Sequence, residues 1–225
     1  PTTVSGSDAS QLSVRSLASA TSCSCSATVF DRKNFAPLKP GGEPFYEKPT
    51  GDPRHDEPRD FCMPAGFPSG MLSANAMQFQ QSKDYLIMVH EFQRMTRIIP
   101  LDGKPHGKGP ASWQGDSTAS WVMPGGRGGR GGAPPPAGGG GTGTGSLKVV
   151  TTRMKSGYIR KNGVPYSANA TLTEYYDIVN EPNGSKWLIV TSVVEDPQYL
   201  TQPYITSTHF RKQADGAGWE PTPCS

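Results

Sequence analysis

The chain of 225 residues has the size of one domain with long irregular parts. Hydrophobic residues make up only 34%, against 27 glycines and 22 prolines, so one core of modest size is expected, built from residues 71–123 and 146–213. A formal net charge of +3, dispersed along the chain, argues against a nucleic-acid-binding surface, and no apolar run is long enough for a transmembrane helix.

Residues 1–60 are predicted to form an extended N-terminal arm. Serine and threonine dominate up to Thr28, and six prolines between Pro37 and Pro58 then disfavour helix and remove ladder donors. We expect at most one short helical turn, within Gln11–Ala20. Four isolated aromatic residues are candidate anchors that bind the arm to its own domain or to a neighbouring protein: Phe30, Phe35, Phe45 and Tyr46.

Residues 61–225 are predicted to form one β-domain, because apolar and β-branched residues recur there in short runs separated by turn signals. Asp102-Gly103 and Asn183-Gly184 are typical of tight turns. The fold class is therefore all-β: an antiparallel barrel, or a strongly curved open sheet, of about eight strands. The predicted strands are Met77–Gln81, Tyr85–Glu91, Met95–Ile99, Ser117–Met123, Leu147–Met154, Ala170–Val179, Lys186–Glu195 and Thr206–Lys212, with a turn across Tyr158–Val164.

A Gly/Pro-rich insertion at residues 124–145 interrupts two of these strands, and we predict that Trp121 and Leu147 are the paired ends of one hairpin. A long loop is tolerable there because closure entropy rises slowly with length. The insertion is either a neutral low-complexity expansion or a tether that docks on a partner. Its candidate contacts are Arg127 and Arg130, which serve solubility or bind an anionic surface or lipid head groups, and the stiff run Pro134, Pro135 and Pro136.

Four cysteines lie outside the β-rich blocks: Cys23, Cys25, Cys62 and Cys224. An even number near the ends of such regions is typical of disulfides in an oxidising compartment. A metal site is the rival interpretation, but Cys23 and Cys25 are too close for a zinc knuckle and no second pair follows at zinc spacing. Because the chain starts at Pro1 and not at Met, a removed signal peptide or lipid anchor also stays open.

Four motifs follow one another along the β-region. They are C-x-P-x-G-x-P-x-x-M (62–71), R-x-I-x-x-D-G-x-P-H (97–106, with Glu91 ahead of it), W-x-G-x-S-x-x-x-W (113–121) and D-P-x-x-x-T-x-P (196–203). Over about residues 62–224 the sequence resembles a large, mostly uncharacterised family of secreted bacterial proteins with a lipocalin-like β-fold. The resemblance implies that fold and an extracytoplasmic location, and supplies no reaction. The insertion replaces a hairpin that the family keeps short. Because Cys62 and Cys224 bracket the family-like region, we predict a disulfide between them.

The catalytic hypothesis is a hydrolase in which Ser117 is the nucleophile, with His106 as base and Asp102 orienting it. The nucleophile elbow G-x-S-x-G is absent. In the structural alternative Arg97 satisfies backbone carbonyls or pairs with Glu91, and Asp116 caps the turn. Six aromatic residues line a ligand cavity or, in the plainer interpretation, belong to the core: Tyr85, Trp113, Trp121, Tyr175, Trp187 and Phe210.

The sequence favours a non-catalytic accessory subunit on the periplasmic or extracellular face of a bacterial membrane. Its arm and Gly-rich loop would dock on subunits of a membrane-embedded complex, such as a photosynthetic reaction-centre or electron-transfer assembly. No cofactor and no nucleic-acid partner are expected. The alternatives are a periplasmic carrier of a small apolar ligand and the serine-dependent hydrolase.

Overall fold

The computed structural model describes residues 11–16 (backbone course), 36–40, 62, 66–72, 75–92, 95–105, 107, 109–123, 145–159, 164–216 and 218–221. In these ranges the secondary structure is almost entirely strand. In chain order the elements are β1 Gln11–Ser16, α1 Ser69–Leu72, β2 Met77–Gln81, β3 Tyr85–His90, β4 Thr96–Pro100, β5 Asp116–Val122, β6 Ser146–Thr152, β7 Gly157–Tyr158, β8 Pro165–Tyr166, β9 Thr171–Asn180, β10 Lys186–Glu195 and β11 Tyr204–Lys212. The all-β, antiparallel prediction is confirmed.

In the described part of the chain nine strands form one sheet, in the order β4-β3-β2-β1-β11-β10-β9-β6-β5, and β7 pairs with β8 separately. Every pair is antiparallel, and the first and last strands approach to within 8 Å between Cα atoms without forming a ladder. Because an odd number of antiparallel strands makes β4 and β5 run in the same direction, the antiparallel pattern cannot continue across this seam. The sheet is thus an open one whose two edges meet, and the closed barrel is not found.

The hairpins agree closely with the sequence pattern. Trp121 pairs with Leu147, which confirms the prediction that the insertion sits in one hairpin. The Asn183-Gly184 turn joins β9 to β10, with Gly184 at φ 84° and the Asn183 side chain accepting a hydrogen bond from the Ser185 amide at 2.8 Å. Glycine adopts such positive φ values at little cost, and for this reason the Asn-Gly pair predicted the tight turn correctly.

The predicted arm contributes directly to the domain. Gln11–Ser16 forms a strand between β2 and β11, where we expected at most a helical turn. The stretch QLSVRS alternates apolar and polar residues, the period-2 pattern of a strand, and two open sheet edges supply its ladder partners. The boundary of the β-domain at residue 61 therefore leaves out one strand of the sheet.

A second part of the arm, residues 36–39, lies against the loop after β10. The Lys39 amide donates to the Tyr199 carbonyl and the Thr201 amide to the Pro37 carbonyl, both at 2.7 Å, and Leu38 forms a β-bridge with Leu200. These contacts bind the arm to its own domain at this point.

Side chains on one face of the sheet form the core. The strands alternate buried and more exposed residues, as in β9, where Leu172, Glu174 and Tyr176 are buried and the residues between them are not. The core also contains Phe67, just before α1, and Met71, within it, and both are fully buried. Ile159 and Val164, beside the small β7–β8 hairpin, are fully buried as well. The buried face therefore includes polar groups as well as apolar ones, and these define the candidate site.

Candidate functional site

The buried guanidinium of Arg97 is the centre of the polar interior. Its side chain is 1% exposed, and its Nη2 donates to Glu174 Oε2 at 2.6 Å and to Thr151 Oγ1 at 2.7 Å. Ser117 Oγ lies 3.2 Å from the same nitrogen, and Nη1 donates to the Tyr176 hydroxyl at 3.2 Å. Strands β4, β5, β6 and β9 thus each supply one or two side chains to a single network.

The alternation of each strand brings these groups together. In β4 the buried positions are Arg97 and Ile99, while Thr96 and Ile98 face outward, and Glu174 occupies a buried position of β9 in the same way. Since β4 and β9 belong to opposite halves of the sheet, the pair forms only because the sheet curls until its two halves face each other. The Phe67 ring covers the guanidinium at 4.2 Å from its centroid, a cation–π contact.

Burial and neighbouring charges determine the pKa values of Arg97 and Tyr176. Burial alone lowers the pKa of Arg97, but the charge of Glu174 and the hydrogen bonds that Arg97 donates to Glu174 and Tyr176 raise it above its usual value. Burial and the charge of Glu174 raise the pKa of Tyr176 well above its usual value, so its hydroxyl stays protonated and donates to Glu174 Oε1 at 3.1 Å. The network is therefore a buried ion pair in which Nη1 and Nη2 of Arg97 have partners, while its Nε has no hydrogen-bond partner.

His90 packs edge-on against Phe67, with the two ring centroids 5.6 Å apart. It is 1% exposed, and its Nε2 has no hydrogen-bond partner. Burial, and then the positive charge of Arg97, lower the pKa of His90 to about 4. The imidazole is thus neutral at physiological pH.

The hydroxyl of Ser117 contacts other residues of the buried network. It contacts Arg97 and lies 3.0 Å from Thr151 Oγ1, so its neighbours are an arginine and a threonine and not the histidine base that the hydrolase hypothesis needs. Asp102 accepts the Lys104 amide at 3.0 Å within its turn, and His106 lies outside the described residues.

The predicted pairing of Arg97 with Glu91 is wrong. Glu91 follows β3 and accepts the Glu220 amide at 2.7 Å, whereas Arg97 points into the core and meets Glu174. Asp116 forms an ion pair with Arg153 at 2.7 Å, on a part-exposed surface. Sequence reasoning missed Glu174, Thr151 and Tyr176, although a charged residue at a buried position of an alternating strand was the signal that could have found Glu174.

The W-x-G-x-S motif is a packing element. Gly115 has φ 64°, and a Cβ there would lie 2.6 Å from the Thr152 carbonyl oxygen, so only glycine fits. The opening C-x-P-x-G motif packs against it, because the Phe67 amide donates to the Trp113 carbonyl at 3.2 Å. In the last motif Asp196 accepts the Gln198 amide at 2.7 Å and the Ser167 hydroxyl at 2.9 Å, which fixes the loop that holds residues 36–39.

The six aromatic residues proposed to line a cavity do not form one lining. Phe210 is fully buried, Trp121 packs against the core, and Tyr85 is 46% exposed at the start of β3. Tyr175 lies on the face opposite to Tyr176, with the Lys148 ammonium 5.8 Å from its ring centroid. The plainer interpretation, that such residues serve packing, applies to Phe210 and Trp121.

All nine predicted partner contacts lie outside the described residues: Phe30, Phe35, Phe45, Tyr46, Arg127, Arg130, Pro134, Pro135 and Pro136. Cys62 takes part in a disulfide and has a left-handed backbone with φ 59°. All other cysteines, Cys224 included, lie outside the described residues, so the pairing of Cys62 with Cys224 stays a prediction.

The chain matches no protein-family model, no curated protein and no solved structure. In the ranges described above, no group of three or more histidine, cysteine, aspartate or glutamate side chains is arranged to hold a metal ion. Within the same part of the chain, no helix has the length and apolar character to span a membrane.

Proposed function

We propose that this protein is a non-catalytic, extracytoplasmic accessory subunit that docks on a membrane-associated protein complex through its Gly/Pro-rich loop. The observation that carries the proposal is the β5–β6 ladder. It runs from Asp116–Thr152 to Val122–Ser146, so both ends of the 123–145 loop are fixed on one rigid hairpin. A long segment whose two ends are both fixed on one hairpin is suited to a contact outside its own domain.

The state of the chemistry-bearing side chains supports a non-catalytic role. Ser117, Asp102, Asp116 and Asp196 each have a structural partner in the interior, in a turn or on the surface. The pair Arg97–Glu174 is compensated and lies within the core. A side chain whose hydrogen bonds are already satisfied by the protein has little capacity left to act on a substrate.

The arm has a smaller part in the proposal than the sequence suggested. Its residues 11–16 complete the sheet and residues 36–39 are bound to the 196–201 loop. The loop 123–145 is therefore the main docking element. The disulfide at Cys62 favours an oxidising, extracytoplasmic compartment. A photosynthetic or electron-transfer assembly remains the class of complex that we propose as partner.

The test replaces residues 123–145 by Asn-Gly, which closes the hairpin with a two-residue turn. We expect the thermal midpoint to change by only a few degrees, because the ladder is retained, while co-purification with the membrane complex is lost. Exchange of the Asn183-Gly184 turn for Gly-Asn, which leaves the loop intact, is the matched control. Unchanged co-purification of the loop-deleted protein would refute the docking role.

A further inference from the structure

Methionine side chains surround the buried histidine of β3. His90 is the last residue of that strand, and inward-facing methionines occupy the neighbouring positions on three strands: Met77 on β2, Met88 on β3 and Met95 ahead of β4. All four residues are buried. Cores are filled mainly by leucine, isoleucine, valine and phenylalanine, so a group of thioethers around one imidazole is an unusual choice of side chains.

The strand register places two of these methionines directly beside the histidine. Met77 is the Cα partner of His90 in the β2–β3 ladder, and on the β4 side the His90 amide donates to the Met95 carbonyl at 2.8 Å. Directly opposite residues of an antiparallel pair have Cβ atoms about 4.5–5.5 Å apart. Met77, His90 and Met95 therefore lie side by side on the inner face, and they are here called the thioether row.

The third methionine has a different contact. The Tyr176 hydroxyl donates to Met88 Sδ at 3.8 Å, so this sulfur faces the network of Arg97 and Glu174. Met88 is accordingly not part of the thioether row.

The imidazole of His90 has a nitrogen that the described part of the chain leaves without a hydrogen bond. This atom, Nε2, is completely buried. A buried polar atom with no partner destabilises the fold unless something else binds it. In the neutral tautomer that carries its proton on Nδ1, Nε2 offers a lone pair to a metal ion.

The thioether row lies at one end of the sheet. Met77 is the first residue of β2, His90 the last of β3, and Met95 directly precedes β4. A Cβ on Gly70 would lie 3.5 Å from the Met95 methyl carbon, so helix α1 packs over this side chain. Local opening at the end of a sheet, where connections and a single helical turn cover the interior, is less costly than opening its centre, and it would admit an ion.

The donor set indicates which ion fits the row. Thioethers and imidazole are both ligands of copper, and soft thioethers favour Cu(I). The three ligands bring no negative charge, and the buried carboxylate of Glu174 is already paired with Arg97. A monovalent ion therefore suits the row better than a divalent one, because burying charge without a counter-charge is costly and the cost rises with the charge.

We infer that the thioether row binds Cu(I), with His90 Nε2 and the Sδ atoms of Met77 and Met95 as its ligands. The site goes beyond the proposed docking function, since binding the ion requires no partner protein. It also differs from the clusters of histidine, cysteine and carboxylate side chains that hold most protein metals, because two of its three ligands are thioethers.

The first test measures Cu(I) affinity on the full chain. Free thiols are blocked with N-ethylmaleimide, because cysteines also bind the ion, and Cu(I) is added under nitrogen as its acetonitrile complex in competition with bicinchoninate. We expect Met77→Leu/Met95→Leu to lose at least about a hundredfold in affinity. Met154→Leu, at another fully buried methionine, is the matched control and should bind as the parent does. Leucine and methionine are similar in volume, so the unfolding midpoints of the variants should stay near that of the parent.

The second test identifies the ligands with Ag(I), a redox-inert ion of the same charge and similar softness. Carbon-13 labels on the methionine methyl groups report each thioether by nuclear magnetic resonance. We expect Ag(I) to shift the methyl signals of Met77 and Met95 and to leave that of Met154 in place. His90→Leu, which removes the nitrogen ligand, should abolish these shifts at the Ag(I) concentration that saturates the parent.

Three outcomes would overturn the inference. The first is a Met77→Leu/Met95→Leu variant that is folded and binds Cu(I) as tightly as the parent, which would reduce these methionines to packing. The second is an equal response of all buried methionine methyl groups to Ag(I). The third is displacement of Cu(I) by an equal concentration of Zn(II), which would require harder or charged ligands.

Discussion

Arg97 and Glu174 form a buried ion pair at 2.6 Å, although strands β3, β2, β1, β11 and β10 lie between their own strands in the sheet. The contact joins the two halves of the curved sheet across its interior, next to the seam that no ladder closes. Ser117 and Thr151, on β5 and β6, complete it from the other side of the seam. The pair therefore takes over part of the closure that backbone hydrogen bonds supply in a complete barrel.

Replacing Glu174 by Gln should strongly destabilise the protein. The change keeps the shape of the side chain but leaves the guanidinium of Arg97 buried without a counter-charge, a situation that costs about 3–5 kcal/mol. Urea unfolding measures it as a lower midpoint. In the double variant Arg97→Met/Glu174→Leu both charges are gone, so it should be more stable than Glu174→Gln. A loss below about 1 kcal/mol for Glu174→Gln would show that the pair contributes little.

Two adjacent tyrosines of β9 test the network with matched variants. Tyr176→Phe removes the hydroxyl that donates to Glu174 and accepts from Arg97, and should cost about 1–3 kcal/mol because buried charged groups lose partners. Tyr175→Phe, on the other face of the same strand, should change stability by less than about 0.5 kcal/mol. Equal effects of the two substitutions in urea unfolding would contradict the network.

Local sequence patterns predicted most of the strands, but they did not predict the order in which the strands pair in the sheet. The bounds of β2 and β10 agree with the predicted strands, because turn residues and period-2 alternation act within a few residues. The position of β1 between β2 and β11 depends on two distant ladders, which no local pattern of a serine-rich stretch contains. The seam between β4 and β5 follows from the odd number of strands, and the prediction of about eight missed this number.

The candidate site was harder to predict for the same reason. Arg97 and Ser117 were among the candidate residues, but their partners depend on how far the sheet curls. Backbone carbonyls and Glu91 were the two partners expected for Arg97, whereas Glu174 is the acid that lies next to it in space. The alternation of β9 already put Glu174 beside Leu172 and Tyr176 on an apolar face, where an acid needs a partner.

The buried histidine makes stability depend on pH in a defined range. His90 has a pKa of about 4 in the folded protein, against about 6.5 in an unfolded chain, so the unfolded state binds the proton first as pH falls. The free energy of unfolding therefore has its full value, as far as His90 is concerned, above about pH 6.5. It decreases by roughly 3 kcal/mol in all as the pH falls towards 4. Unfolding of the parent and His90→Gln should therefore give free energies whose difference changes over this range.

The exposed His209 provides the control for this experiment. His209→Gln makes the same substitution at an exposed position of β11, so it controls for the loss of a histidine that is not buried. All other acidic and basic groups are common to the three proteins, so the comparison isolates the substituted histidine. A difference between parent and His90→Gln that stays constant from pH 7 to pH 4 would mean that the histidine is not held neutral by burial.

The tight packing of the W-x-G-x-S turn predicts that Gly115 tolerates no side chain. Gly115→Ala introduces a Cβ 2.6 Å from the Thr152 carbonyl oxygen and 2.7 Å from Met154 Cγ, at a φ of 64°. Backbone strain alone costs about 1–2 kcal/mol, and the clash adds to it. Gly184→Ala shares the positive φ, 84°, but has nothing within 4 Å, so it should show the strain term only. Thermal unfolding should rank Gly115→Ala well below Gly184→Ala; equal midpoints would show that the turn relaxes without cost and that the motif glycine is not required for packing.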